Sequence, residues 1–272
     1  MRYPAVAGRF YPADKAALSE SIRSCFEHPL GPGKIGECTG KREIKGAVVP
    51  HAGYQCSGMN AAHVYRSIAE DGFPDAYVIV GPDHYGIPFS SVLCDESYLT
   101  PFGECKIHMG IVDRLSHDIP VMAEAHRFEH SVEVEVPFIQ YIDPNAKIVP
   151  LIMSDQRMET AEHIGKLIRK ACEGYDVIVI ASSDMSHYVP KPVASADDTM
   201  FMDRVCSSDI PGMYDVISRY GVSACGYGPI AAMITATEPA EGTLLKYSDS
   251  YDSLNYQPES VVGYASAIFR KK

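Results

Sequence analysis

Ten histidines occur in this 272-residue sequence, and three of them share a context suited to chemistry. His51 closes the apolar run Ala47-Val48-Val49-Pro50, and His84 follows Tyr77-Val78-Ile79-Val80-Gly81-Pro82-Asp83. His187 comes after Val177-Ile178-Val179-Ile180 and the polar stretch Ser182-Ser183-Asp184-Met185-Ser186. Short apolar runs of this kind read as buried strands. Ligands collect at the carboxyl ends of parallel strands in an open α/β sheet, so imidazoles delivered there from distant positions can converge. Converging imidazoles serve a metal ion or an acid/base centre. His51 and His84 repeat one logic of strand, breaker, imidazole, aromatic and glycine. A buried histidine donating to a backbone carbonyl is the alternative for either one alone, and the repetition weighs against it.

Asp184 is spaced either to orient an imidazole or to cap a turn, with Ser182 and Ser183 supplying hydrogen bonds at the same strand end. His187 is the candidate general base or acid beside a metal, a role suited to the imidazole side chain. Tyr54 and His130 are the candidates for substrate contact. Glu129 and Glu133 around His130 form either a carboxylate-histidine cluster or a solvated helix face. The segment Ser223-Ala224-Cys225-Gly226-Tyr227-Gly228-Pro229 precedes an apolar helix. Taken alone, Cys225 is either a thiol near a helix N-terminus, where the dipole favours thiolate, or a small residue in a tight turn. The turn is the reading its spacing favours. His28, His63, His108, His117, His126 and His163 share no recurring context and are read as solvated or structural.

The elements that must position these groups follow from periodicity. Asp14 is placed to N-cap a helix carrying Leu18, Ile22 and Cys25 or Phe26, and residues 29–45 read as a long loop. Strands are expected at 46–49, 76–80, 91–94, 147–153, 176–181, 243–247 and 261–269. Helices are expected at 57–70, 110–117, 157–172, 193–206, 210–220 and 228–237. The alternating Val132, Val134 and Val136 are ambiguous, because Pro137 disfavours a central strand, and a helix is the expectation there. The Tyr-rich stretch 247–256 reads as a surface loop. This alternation gives an α/β fold: a single domain over residues 1–272 with a central mixed, mostly parallel sheet flanked by helices.

Composition bounds the function. Hydrophobic residues make up 46% and charged residues 22%, which is ordinary for a soluble globular protein. A net charge of -11 argues against nucleic acid or an anionic membrane as the main partner. With no signal-like or spanning apolar stretch, a cytoplasmic protein is expected. The eight cysteines are scattered singly without a Cys-x-x-Cys pair, so most should be reduced and buried. Phosphate-binding glycine loops, His-Glu-x-x-His and Gly-x-Ser-x-Gly do not occur, leaving nucleotide binding and serine hydrolysis without support.

An ordered set of motifs resembles the Memo family across nearly the whole chain. It comprises Arg2-Tyr3-Pro4-Ala5-Val6-Ala7-Gly8-Arg9-Phe10-Tyr11-Pro12, Pro50-His51-Ala52-Gly53-Tyr54 and Gly81-Pro82-Asp83-His84. Glu129-His130-Ser131-Val132-Glu133, Ser182-Ser183-Asp184-Met185-Ser186-His187-Tyr188, Cys225-Gly226-Tyr227-Gly228-Pro229 and Val261-Val262-Gly263-Tyr264-Ala265 complete it. That family is similar in fold to the class III extradiol ring-cleaving dioxygenases, which hold non-haem Fe(II) with two histidines and one carboxylate. The resemblance implies His51 and His84 as metal ligands, His187 as catalytic base, and Cys225 where the carboxylate would be. A thiolate there is softer and shifts preference towards Zn, Cu or a differently tuned Fe. The implied function is a metal-dependent redox enzyme, an oxidoreductase using Fe(II), with Cu or Zn as alternatives, on a small organic substrate. A zinc-dependent hydrolase and a non-catalytic adaptor binding a peptide or metabolite in the same pocket are the competing readings.

Overall fold

The computed structural model describes residues 1–239 and 241–271. Its strands are β1 (Ile44–Val49), β2 (Ala76–Pro82), β3 (Ser91–Leu93), β4 (Tyr98–Thr100), β5 (Gly103–Ile107), β6 (Lys147–Met153), β7 (Val177–Ser182), β8 (His187–Val189), β9 (Gly242–Asp249) and β10 (Val261–Arg270). The helices are α1 (Lys15–Glu27), α2 (Tyr54–Asp71), α3 (Met109–Leu115), α4 (Glu135–Ile142), α5 (Met158–Ala171), α6 (Lys191–Cys206), α7 (Ile210–Tyr220), α8 (Tyr227–Thr237) and α9 (Ser250–Leu254).

One sheet runs in the order β4-β5-β6-β2-β7-β1-β10-β8, with β3 beside β6 and β9 beside β10. The path from β5 to β1 is parallel, whereas β10 lies antiparallel to β1, β8 and β9. This is the mixed, mostly parallel α/β sheet expected from the alternation of elements. Every residue of β2 is buried, so helices cover both faces of the sheet. Val78, Ile79, Val80, Ile178 and Ile180 have no exposed surface, and each contributes about 1.5–3 kcal/mol relative to staying in water.

Strand order is what assembles the site. β7 lies between β2 and β1, pairing Val80 with Ala181 and Val49 with Ser182. The carboxyl ends of all three strands are therefore level, and the segments leading to His51, His84 and, at the start of β8, His187 emerge side by side. The start of α8 docks on the same edge through Gly226, whose N–H donates to Ser183 Oγ at 2.9 Å. A Cβ on Gly226 would sit 2.4 Å from the Ser182 carbonyl oxygen, so only glycine permits this approach.

Most elements fall where periodicity places them, and the exceptions have local causes. Helix α1 begins after Asp14, whose carboxylate accepts the N–H groups of Ala16 and Ala17. Helix α2 begins at Tyr54 rather than 57, because Gly53 caps it without a side chain and Phe10 O takes the Tyr54 N–H at 2.8 Å. Residues 131–134 form turns, and α4 starts only at Glu135, with Pro137 in the first turn where it breaks no helical bond. The Tyr-rich stretch is not a loop throughout. Its first residues extend β9, and Asp249 and Asp252 form a reciprocal capping box that opens α9. The hairpin of β4 and β5 was not among the expected strands; β4 is only three residues long, and β5 buries Cys105 and Ile107 in alternation with exposed Glu104 and Lys106. All eight cysteines are free; Cys25, Cys94, Cys105 and Cys172 are buried, and Cys38 lies exposed before β1. Among the described residues, no helix is long and apolar enough to cross a membrane.

Candidate metal centre

His51, His84 and Cys225 bring one ligand atom each to a common point, all within 4.8 Å of one another. His51 is 2% exposed; its Nδ1 lies 2.8 Å from Ser182 Oγ and its Nε2 3.3 Å from Cys225 Sγ. Burial, reinforced by His130 and His84, pushes the His51 pKa well down, so the ring stays neutral. With Nδ1 committed to Ser182, Nε2 offers its lone pair to the centre.

His84 is oriented by a buried carboxylate. Its Nδ1 lies 2.9 Å from Glu129 Oε1, and its backbone N–H donates to Glu129 Oε2 at 2.7 Å. Glu129 Oε1 also accepts the N–H groups of His130 and Ser131, both at 2.8 Å. Burial alone would raise the Glu129 pKa, but the bonds and charge of His84 and these backbone donors hold it well below the usual carboxylate range. Burial alone would likewise lower His84, and the Glu129 bond and charge outweigh it, for a net rise. A carboxylate accepts only, so Nδ1 carries the hydrogen and Nε2 is the free donor atom.

Cys225 meets the edge of β7 from the opposite side. The Asp184 N–H donates to Sγ at 3.2 Å, and the Cys225 N–H donates to Asp184 O at 3.2 Å. Burial, with the Asp184 charge, pushes the Cys225 thiol well up, so deprotonation there calls for a cation. Two imidazoles with their far nitrogens fixed and one sulfur form a donor set that fits Fe, Zn or Cu. His84, Glu129 and His130 also lie within ligand reach of one another. Drawing Glu129 onto a cation would strip acceptors from buried N–H groups, so the first set fits better.

The remaining candidates divide. His130 joins the cluster: its ring stacks on His84 at 4.6 Å and meets His51 edge-on at 5.5 Å. His187 sits at the same edge, its Nδ1 2.9 Å from Ser223 O and its N–H donating to Ser223 Oγ at 2.8 Å. That carbonyl, rather than Asp184, fixes the His187 tautomer and leaves Nε2 able to take a proton. Asp184 instead accepts the backbone N–H of His51 at 2.9 Å and ties the His51 loop to β7. Burial pushes the Asp184 pKa up to about 6, against the lowering charge of His187. Tyr54 is not brought to the site. It is 2% exposed, packs on Tyr11 and Phe138, and donates its hydroxyl to Val134 O at 2.8 Å.

Residues 2–268 match the Memo family, described as Memo-like protein. The chain belongs to that family. A MEMO1 family protein of Methanopyrus kandleri is 41% identical to it over 99% of both chains. Another, of Methanothermobacter thermautotrophicus, is 43% identical over 97% of this chain and 99% of its own. Among solved structures, an uncharacterized protein of Escherichia coli superposes with a TM-score of 0.58 at 11% identity, covering 83% of this chain and 99% of that one. That likeness concerns the fold alone.

Two supporting residues of this Memo-like chain have roles the sequence does not give: Glu133 is neither in a histidine cluster nor on a solvated face, and Glu135 drew no reading. Glu133 forms a buried ion pair with Arg2 at 2.5 Å and accepts the Tyr11 hydroxyl at 2.6 Å, which straps the N-terminal segment beneath the Glu129 loop. Glu135 reaches Ser182 at 2.9 Å, behind His51. The signal for both was a pair of glutamates inside the valine run 132–136, where solvated side chains are out of place.

Proposed function

We propose that this Memo-like protein is a metal-dependent redox enzyme acting on a small organic substrate. Fe(II) is the proposed resident ion on His51, His84 and Cys225, with copper or zinc as alternatives. The observation that carries the reading is the convergence of these three ligand atoms within 4.8 Å, with Ser182 and Glu129 orienting the two imidazoles from behind. When bound, such an ion would supply Lewis acidity and, for iron or copper, one-electron chemistry.

The chain's own residues would do the rest. His187 Nε2 would take a proton from a substrate hydroxyl, since Nδ1 donates to Ser223 O. Asp184 would hold the His51 loop and stabilise the resulting imidazolium. The stacked faces of His130 and His84 would form one wall for the substrate.

Anaerobic purification, metal analysis and O₂ uptake with phenolic substrates test this proposal. About one iron per chain is expected, with O₂ uptake that falls on His187→Ala. A chain free of metal under every condition would overturn it. The sulfur ligand favours one second reading: two histidines and a cysteine are also a catalytic zinc set, so zinc-dependent hydrolysis rising through neutral pH would replace the redox assignment.

A further inference from the structure

Ser182 Oγ has one hydrogen and three partners: Ser131 O at 2.7 Å, His51 Nδ1 at 2.8 Å and Glu135 Oε1 at 2.9 Å. A carbonyl accepts only, so the Ser182 hydrogen goes to Ser131 O. The other two partners must then donate, His51 through Nδ1–H and Glu135 as a carboxylic acid. The second Glu135 oxygen accepts the Tyr65 hydroxyl at 2.5 Å, and burial keeps that phenol protonated. Every polar atom of the group is matched when Glu135 is neutral. Were it ionised, the single Ser182 hydrogen would have to serve two acceptors.

The surroundings agree with this count. Glu135 is 1% exposed, and among the described residues no Lys or Arg pairs with it. The titratable groups facing it are Tyr65 and Tyr54 from α2 and Asp184 beyond β7, none of them cationic. Burial, with a smaller push from Asp184, takes its pKa up to about 8.

We propose that Glu135 is an internal acid of the metal site, neutral while it helps to fix His51 as the Nδ1–H form, and releasing its proton when a divalent cation is seated on His51 Nε2. This rests on the metal-site reading above. In the step, the Glu135 O–H bond breaks and its proton passes to solvent. The Ser182 hydrogen turns from Ser131 O to the new carboxylate, and His51 keeps Nδ1–H on Ser182 Oγ. No electrons change hands. The driving force is the cation itself, which makes Nδ1–H a stronger donor and favours negative charge at the far end of the line His51, Ser182, Glu135.

Calorimetric titration of the full chain with Zn(II), in buffers of different ionisation enthalpy near pH ~7, counts the protons released on binding. Wild type should release about one proton more than Glu135→Gln. Glutamine can donate its amide to Ser182 and accept from Tyr65, so it mimics the neutral acid and should preserve the fold. Difference infrared spectra should show a protonated carboxyl band lost on Zn(II) addition in wild type and absent from Glu135→Gln. If Glu135→Gln fails to fold, Ser182→Ala, which cuts the line, should show the same deficit. Tight Zn(II) binding with equal proton counts in wild type and variant would overturn the inference alone. Absence of Zn(II) binding by wild type would overturn the metal-site reading beneath it.

Discussion

Replacing Glu129 with glutamine should weaken metal binding by about 10–100-fold, or about 1.4–2.8 kcal/mol, without touching a ligand. The carboxylate is 1% exposed and accepts four N–H groups: three at Oε1, from His84 Nδ1 and the backbones of His130 and Ser131, and one at Oε2 from the His84 backbone. An amide has one oxygen. Placed at the Oε1 position, it keeps three bonds in weaker neutral form and turns its NH₂ against the His84 N–H, donor facing donor at 2.7 Å. The broken charge-assisted bond costs the fold about 1.5–3 kcal/mol. His84 also loses the negative charge that makes Nε2 a better donor to a cation. Competition of Zn(II) between the protein and a chromophoric chelator reads the affinity, and thermal unfolding of the metal-free protein reads the fold. A folded Glu129→Gln variant that binds Zn(II) within threefold of wild type would refute the reasoning, because it would detach His84 orientation from metal affinity.

Other perturbations separate the remaining parts of the account. Cys225 must lose its proton to bind metal, so Zn(II) affinity should fall more steeply on acidification in wild type than in Cys225→Ser; equal slopes in a chelator competition would remove Cys225 from the site. Gly226→Ala drives a Cβ to 2.4 Å from the Ser182 carbonyl, so it should displace Cys225 and cost at least about tenfold in Zn(II) affinity, against none if the start of α8 can yield. His126 tests the fold apart from the metal. Its Nδ1 lies 2.8 Å from the Tyr98 hydroxyl and its Nε2 3.3 Å from Val92 O, and burial depresses its pKa from 6.5 to about 3. The unfolded chain therefore binds this proton first as pH falls, and stability should drop between about pH 6.5 and 3 by up to about 1.4 kcal/mol per pH unit from this group. Denaturant unfolding across that window should show a flatter profile for His126→Gln, and parallel profiles would contradict the assignment.

The strand-end histidines were legible because β-branched runs followed by Pro or Gly announce both a buried strand and its end, as at Val49-Pro50-His51 and Gly81-Pro82-Asp83-His84. The insertion of β7 between β1 and β2 was not legible, since chain order carries no record of a crossover, and that insertion makes the three loops neighbours. Cys225 entered through resemblance, because by spacing alone a cysteine next to a glycine before a helix reads better as a small residue in a tight turn. Tyr54 misled for a related reason. It follows an imidazole closely, yet it opens α2, whose first turn points its ring at Phe138 and Tyr11 in the core. Glu129 looked like part of a solvated face, and only the fold shows its four N–H donors.

The central claim is that His51, His84 and Cys225 hold one metal ion. Crystals of protein purified without oxygen, with anomalous data collected on both sides of the iron, copper and zinc edges, test it most directly. The account predicts one anomalous peak about 2.0–2.3 Å from His51 Nε2, His84 Nε2 and Cys225 Sγ, with Ser182 and Glu129 still bonded to the far nitrogens. A peak bound by His84, Glu129 and His130 instead, or no peak at the convergence point after metal loading, would contradict it.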